Sequence, residues 1–205
     1  MNGPPGGGAD STAGPAPVSG GTFIAVVGPS GAGKDSIIDY ARRSLAGEPG
    51  VHFVRRVVTR TGDPANEDHS SIAEDAFDRA EAAGAYALSW SSHGLRYGIP
   101  LEVDDAVRSG AVAVANLSRG VVAELGRRYE KTAVVMINAS PEVLRERLQG
   151  RGRESDGDIA LRLARNSGYD RQGLDCETID NSGPLHHAGD AFVALMMSHL
   201  TSRQA

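Results

Sequence analysis

A glycine-rich segment that ends in a lysine carries the clearest chemical signal in this sequence. Four residues separate Gly28 from Gly33 and Lys34, and the segment stands between an apolar run at residues 23–27 and apolar residues at helical spacing from residue 36. Glycines let a loop wrap closely, so backbone N–H groups at the start of a helix, together with a lysine, can hold phosphates. We therefore predict a nucleotide-binding phosphate cradle made of Gly28, Pro29, Ser30, Gly31, Ala32, Gly33, Lys34, Asp35 and Ser36.

The residue after the lysine departs from the usual form of this motif. It is Asp35, where a serine or threonine normally binds Mg²⁺, and Ser36 follows it. A carboxylate is also a hard oxygen ligand for magnesium, so we predict that ATP binds with Mg²⁺ and that Asp35, with Ser36, contacts the metal. The added negative charge beside a triphosphate must lie against the metal or an arginine.

The composition of the sequence excludes several classes of protein. The 205 residues carry a net charge of −5 and contain one cysteine, Cys176, which excludes an internal disulfide framework. No apolar run approaches the roughly 20 residues of a membrane span, the start does not resemble a secretory signal, and there is no basic footprint for nucleic acid. These features predict a cytoplasmic protein without nucleic acid or membrane partners. The oligomeric state stays open, with a homodimer as one option.

Strand-like and helical segments alternate along the chain, which is typical of an α/β fold with a parallel sheet. We predict three layers, with a central parallel sheet and helices on both faces. Predicted strands lie at residues 23–27, 86–90, 111–115, 133–137 and 177–181, and predicted helices at 36–45, 73–83, 141–150, 159–166 and 188–200.

The composition of successive segments divides the chain into regions. Residues 1–20, rich in glycine, proline and alanine, are predicted to form a disordered tail before one domain at 21–203. Two polar stretches, 59–98 and 150–158, interrupt the alternation of strands and helices. Long insertions in a compact domain are usually functional, so we predict an acceptor-binding insertion and a short lid.

Several motifs resemble those of guanylate-kinase-like nucleoside monophosphate kinases, a P-loop family. The wording of the loop, Gly-Pro-Ser-Gly-Ala-Gly-Lys, resembles that of guanylate kinase, and Thr59-Arg60 resembles the opening of its acceptor domain. Arg96-Tyr97-Gly98 resembles its Tyr-Tyr-Gly, and the arginine-rich run at 147–153 resembles its lid. The resemblance covers roughly residues 22–200 and implies the P-loop kinase version of the three-layer fold.

A more specific resemblance is to ribose 1,5-bisphosphate phosphokinases. It rests on Gly-Lys-Asp-Ser at 33–36, Ala-Leu-Ser-Trp at 87–90, Asn-x-Ser-Arg at 116–119 and Arg-Gly-Arg-Glu at 151–154. The resemblance implies transfer of the ATP γ-phosphoryl group to ribose 1,5-bisphosphate. The product would be 5-phosphoribosyl 1-diphosphate, an activated ribose for nucleotide synthesis, and members of the family often accompany phosphonate breakdown.

The implied reaction needs fixed positive charge more than a general base, because the acceptor is a phosphate oxygen that is already anionic. Arg60 is expected to clamp an acceptor phosphate, with further substrate contacts from Glu67, Tyr97, Ser118 and Arg119. The groups expected to act on the transferring phosphoryl group are Lys34, Arg147, Arg151, Arg153 and Arg162.

Each of these side chains also has a structural alternative. Any single arginine of the lid region could belong to a solvated helix face, and Arg145 and Arg147, two residues apart on a helix, cannot both face the site. Trp90 and Tyr97 could line a sugar pocket or pack in the core.

Two other functions stay open on the sequence. Guanylate kinase activity would use Glu67 to read guanine, although no second arginine follows Arg60 before Arg79, and Asn116 stands at that family's acidic position. The other alternative is a non-catalytic guanylate-kinase-like interaction module. Such modules usually lose the phosphate loop, whereas Lys34 and all three loop glycines are present here.

Overall fold

The computed structural model describes residues 16–60, 69–150 and 176–201, whose strands form two sheets. The strands are β1 (Thr22–Val27), β2 (Val51–Phe53), β3 (Arg56–Val58), β4 (His69–Ser71), β5 (Tyr86–Ser92), β6 (Leu95–Pro100), β7 (Val112–Asn116), β8 (Thr132–Asn138) and β9 (Glu177–Asp180). The helices are α1 (Lys34–Ser44), α2 (Glu74–Ala82), α3 (Val103–Arg108), α4 (Val122–Arg128), α5 (Pro141–Gly150) and α6 (Leu185–Thr201).

The main sheet is parallel and has β1 at its centre, in the order β2-β7-β1-β8-β9. Every residue of β1 is buried, because the strand is hydrogen-bonded on both edges and covered on both faces. A continuous apolar run suits such a strand, since neither of its faces meets water. In the middle of β1, Ile24 lies opposite Val114 of β7 and Ala133 of β8.

Alternate side chains of β1 enter the two hydrophobic cores on either side of the sheet. Ile24 and Val26 pack in the core that contains α1 and α6, whereas Phe23, Ala25 and Val27 pack in the core that contains α3 and α4. Helices therefore cover both faces, which confirms the predicted three-layer fold. None of the helices in the described segments has the length and hydropathy needed to cross a membrane.

The second sheet is mixed and has the order β4-β3-β6-β5, with α2 packed beside β5. β5 and β6 form a hairpin whose two turn residues, His93 and Gly94, both have positive φ (51° and 74°), as the tightest hairpin turns require. On β6, a Cβ atom at Gly98 would lie 2.7 Å from the Tyr86 ring, which stacks on Phe77 of α2. The glycine therefore allows the aromatic packing that holds this sheet on its helix.

The predicted strands and helices that fall on described residues are all present, with ends moved by up to three residues. The sequence analysis missed β2, β3, β4, β6, α3 and α4. The insertion predicted at 59–98 is more regular than expected, because it supplies most of the mixed sheet, which begins at Arg56 and ends at Pro100. The helix predicted at 159–166 lies outside the described residues.

The ordered domain begins earlier than the predicted boundary at residue 21. Val18, which the sequence analysis assigned to the tail, pairs with Tyr129 in a parallel bridge and exchanges backbone hydrogen bonds with Arg128 and Glu130. Its half-buried side chain packs against the core. Apart from Met1, Val18 is the only large apolar residue of that segment, and burying it gives the chain a reason to order there.

A buried carboxylate ties α3 to the C-terminal end of α4. Asp104 is 2% exposed, and its carboxylate accepts hydrogen bonds from the Tyr129 hydroxyl at 2.8 Å and from Arg128 Nη2 at 2.6 Å. Burial raises the pKa of the Tyr129 phenol well above its usual range, so the phenol stays protonated and donates to Asp104. A buried charge with this many partners stabilises the end of the sheet opposite the loop that follows β1.

We predict that Asp104→Asn lowers the free energy of unfolding by about 3 kcal/mol, because it leaves Arg128 without its counterion in a partly buried position. Urea denaturation measures this change. Asp105→Asn is the matched control, since Asp105 is one residue away and also pairs with Arg108, but its side chain is 83% exposed. Equal unfolding free energies for the two variants would contradict a structural role for the buried network.

Candidate active site

The glycine-rich loop joins β1 to α1 at the carboxyl edge of the parallel sheet, where ligands of such sheets bind. Its three glycines all have positive φ: 149° at Gly28, 87° at Gly31 and 86° at Gly33. A Cβ atom at Gly28 would lie 2.1 Å from the backbone oxygen of Ile137 in β8. The loop can therefore fold so closely over the sheet only because this position has no side chain.

The loop presents backbone donors that the rest of the described chain does not use. No described residue accepts a hydrogen bond from the N–H of Gly31 or Gly33. Gly33 is also the N-cap of α1 and provides no side-chain cap, so the amides of the first helical turn point out of the helix end. Such an arrangement fits a phosphate group, and a Cβ atom at Gly33 would lie 2.5 Å from Asn181 Nδ2 on the outer side of the loop.

The lysine lies along this loop. Lys34 Nζ donates to the backbone oxygens of Gly28 and Pro29, both at 2.9 Å. These bonds hold the ammonium group beside the loop, where it can exchange carbonyl partners for phosphate oxygens.

Asp35 lies at the boundary between the two sheets. Its Oδ1 accepts a 2.7 Å hydrogen bond from Asn116 Nδ2 at the end of β7, and Arg56 Nη2 lies 3.6 Å from the same oxygen. Oδ2 makes no hydrogen bond within the described segments, the Asp35 side chain is 60% exposed, and the adjacent Ser36 is exposed too. Hard oxygen donors at this position fit Mg²⁺, which uses few protein ligands when phosphates supply the others.

Two residues from the far strand and α5 hold the outer side of the loop. Arg147 Nη2 donates to Asn181 O at 2.8 Å, and its Nη1 lies 3.4 Å from Ala32 O. Asn181, 2% exposed, donates from Nδ2 to Ala32 O at 2.7 Å. Arg145 is exposed, as the two-residue spacing predicted. The sequence analysis missed Asn181, whose signal was a polar residue directly after a strand.

Arg147 therefore contacts the loop backbone in this structure. The sequence analysis predicted that it would close on the transferring group, and its guanidinium lies instead along the carbonyl side of the loop. In this position the residue supports the cradle from behind.

On the other side of Asp35, aromatic side chains of the mixed sheet face the end of β7. Trp90 and Tyr97 lie opposite each other on β5 and β6, with ring centroids 5.3 Å apart and planes 10° apart. The Trp90 indole donates to Ser118 Oγ at 3.0 Å. Of the predicted substrate contacts, Tyr97 and Ser118 thus meet at one junction between the sheets. Arg60 follows β3, and Arg119 begins a short 3₁₀ turn after β7.

The sequence analysis missed one further arginine at this junction. Arg56 begins β3, its side chain is 13% exposed, and its guanidinium carbon lies 6.0 Å from the centre of the Tyr97 ring. The sequence feature that could have indicated it is an arginine directly before the apolar pair Val57-Val58, four residues before Arg60. Arg96, by contrast, turns away from the junction, because it pairs with Asp78 and Glu81 of α2.

Several predicted site residues cannot be located. Glu67, Arg151, Arg153 and Arg162 lie outside the described residues, as does the lid predicted at 150–158 beyond its first residue.

Comparisons of the sequence with known proteins agree with this geometry. The family profile described as AAA domain matches residues 24–170. Two similar relatives are named ribose 1,5-bisphosphate phosphokinase PhnN. The one from Brucella melitensis is 52% identical over 173 residues, covering 84% of this chain and 90% of its own length. The one from Agrobacterium fabrum is 44% identical over 182 residues, covering 89% of this chain and all of its own.

A comparison of structures gives the fold independently. The crystal structure of guanylate kinase from Anaplasma phagocytophilum superposes with a TM-score of 0.60 over 88% of this chain and 86% of that one, at 18% sequence identity. At this level of identity the similarity establishes a guanylate-kinase-like fold and leaves the substrate to other observations.

We predict that Gly33→Ala weakens binding of a nucleoside triphosphate by about tenfold or more, because the new Cβ would lie 2.5 Å from Asn181 Nδ2 and disturb the cradle. Isothermal titration calorimetry measures the affinity. Gly47→Ala is the control, since Gly47 has a similar φ of 88° but no atom within 4 Å of its added Cβ. Both variants carry the same backbone strain, so an equal loss of affinity would remove the cradle from nucleotide binding.

Proposed function

The chain belongs to the ribose 1,5-bisphosphate phosphokinase family, and on that premise we propose that it transfers the γ-phosphoryl group of ATP to ribose 1,5-bisphosphate. The products are 5-phosphoribosyl 1-diphosphate and ADP. The observation that carries the proposal is the intact cradle facing a cationic and aromatic junction, in a chain whose relatives bear that name.

The bond changes define what the site must supply. An oxygen of the acceptor's 1-phosphate attacks the γ-phosphorus, a new P–O bond forms, and the bond to the β–γ bridging oxygen breaks as ADP leaves with the electron pair. The attacking oxygen is already anionic, so no general base is needed. The difficulty is the approach of two polyanions, and fixed positive charge overcomes it.

Each part of the cradle has a role in holding ATP. The amides of the loop and of the first turn of α1 bind the β- and γ-phosphates, and Lys34 adds a full positive charge where charge accumulates during transfer. Asp35 and Ser36 would hold Mg²⁺, which neutralises phosphate charge when bound. Arg147 and Asn181 keep the loop in shape from behind.

The acceptor lies on the side of the mixed sheet. Arg60 binds one of its phosphates, and Trp90, Tyr97, Ser118 and Arg119 line the sugar and phosphate positions. We assign Arg151, Arg153 and Arg162 to a lid that brings positive charge to the transferring group. A guanidinium 4 Å from a phosphate charge contributes about 4 kcal/mol before desolvation at an effective dielectric constant of about 20. A few such groups could therefore account for most of the barrier reduction.

A kinase domain that ends at residue 203 and begins before residue 21, at the Val18 bridge, belongs to the same proposal, as do a cytoplasmic location and a connection to phosphonate metabolism. The location rests on the single cysteine of the full sequence.

We expect the purified protein to form 5-phosphoribosyl 1-diphosphate from ATP and ribose 1,5-bisphosphate, detected by ³¹P NMR and by coupled ADP release. Lys34→Met should lower kcat by about 100- to 1,000-fold, because it removes a charge that binds the transferring group. GMP is the competing acceptor in the same assay. Turnover of GMP without turnover of the bisphosphate would identify a guanylate kinase, and failure of ATP to bind would leave only a non-catalytic module.

We predict that Asp35→Asn raises the Mg²⁺ concentration needed for half-maximal nucleotide binding by about tenfold or more, because a neutral amide is a weaker magnesium ligand. The measurement is nucleotide affinity at a series of Mg²⁺ concentrations, so it does not depend on turnover. Asp39→Asn, one helical turn later and paired with Arg42, is the control. If Asp35→Asn leaves the Mg²⁺ dependence unchanged, the metal role of Asp35 is wrong.

A further inference from the structure

Arg56 marks the point where the chain leaves the parallel sheet and enters the mixed one. Val54 still donates its backbone N–H to Val114 of β7, and two residues later Arg56 begins β3. Its guanidinium lies 3.6 Å from Asp35, the residue that directly follows the cradle lysine. Arg56 therefore lies beside both the cradle and the acceptor junction.

The guanidinium of Arg56 is mostly buried yet poorly satisfied. A guanidinium carries five N–H donors, and within the described segments the guanidinium of Arg56 makes no hydrogen bond. Its contacts there are the Asp35 carboxylate, too far for a hydrogen bond, and the face of the Tyr97 ring. Arg128, whose side chain is 30% exposed, is better satisfied, because it makes two hydrogen bonds to Asp104. A mostly buried guanidinium whose N–H donors are unused favours the binding of an anion.

We propose that Arg56 binds the acceptor phosphate that receives the phosphoryl group, the 1-phosphate of ribose 1,5-bisphosphate, while Arg60 binds the 5-phosphate; this assignment rests on the proposed function. The receiving phosphate must approach the γ-phosphate, hence the side of Lys34, and Arg56 is on that side. Arg60 is four residues further along the chain, at most about 13 Å away at the rise of a β-strand. The furanose ring separates the two phosphates of the acceptor, so two arginines spaced along the strand suit it.

Tyr97 and Asp35 fix the direction of this guanidinium. Tyr97 lies under it and itself stacks on Trp90, whose indole is held by Ser118. Asp35 attracts it from the cradle side without occupying its hydrogen-bonding positions, so a phosphate can bind Arg56 in the bidentate mode that suits a guanidinium. Arg56 thereby determines specificity for an acceptor with a phosphate at C1.

The test compares two ligands that differ only in the phosphate at issue. Ribose 1,5-bisphosphate and ribose 5-phosphate are titrated by calorimetry into protein saturated with Mg²⁺ and a non-hydrolysable ATP analogue. Arg56→Gln should weaken binding of the bisphosphate by about tenfold or more and change the affinity for ribose 5-phosphate by less than about twofold. Arg60→Gln should weaken both ligands.

The control is Arg55→Gln, which also removes an arginine at the edge of β3 but at an exposed side chain whose contact is His69 O. It should change neither affinity. Thermal unfolding checks that the variants are folded. If Arg56→Gln is not, Arg56→Lys takes its place, and a partial loss for the bisphosphate alone is expected, since the charge stays and the bidentate geometry is lost.

The outcomes separate this inference from the proposed function. If the wild-type enzyme is active and Arg56→Gln weakens the binding of both ligands equally, or of neither, the assignment of Arg56 is wrong. The proposed reaction is not affected by that result. A wild-type enzyme that does not turn over ribose 1,5-bisphosphate overturns the proposed function itself. In kinetics the supported result is a raised KM for the bisphosphate with an unchanged KM for ATP.

Discussion

Electrostatic repulsion between two polyanions is the constraint on which this structure depends. A triphosphate and a phosphorylated acceptor must come within bonding distance, and water alone would keep them apart. The protein meets this constraint with charge and dipoles fixed in advance, which cost no reorganisation at the moment of transfer. The loop after β1 is the first part of that arrangement, and it holds its shape because Gly28 packs against the backbone of β8 without a side chain.

The mixed sheet is the second part, and in the reaction we propose it holds the acceptor beside the cradle. The contact between the two halves is built from side chains at the ends of helices and strands: Asp35 in the first turn of α1, Asn116 at the end of β7 and Arg56 at the start of β3. Carboxyl ends of parallel strands meet at one edge, so polar residues placed there come together even when they are far apart in sequence. The second sheet then adds an aromatic wall, Trp90 against Tyr97, to that polar edge.

Local sequence signals predicted the cradle and the layers well, because they depend on neighbours in the chain. The run at β1 is apolar without interruption, and the glycine spacing after it admits few other structures. β3 and β4 have three residues each, too few to show a period of two, and so the mixed sheet was interpreted as an irregular insertion. Arg56, Asn181 and Asp104 were missed for another reason: their roles come from contacts between distant segments, such as the 81 residues that separate Asp35 from Asn116.

Arg56 explains how Asp35 can replace the serine or threonine that usually follows the loop lysine. A carboxylate beside a triphosphate adds repulsion, and an unpaired guanidinium in a half-buried cleft is itself unfavourable. Placed 3.6 Å apart, the two groups balance each other without forming a tight ion pair that would have to be broken. In the reaction we propose, each then stays available for its own ligand, Asp35 for a cation and Arg56 for an anion. Each charge thus offsets the other at the point where the two substrates of the proposed reaction meet.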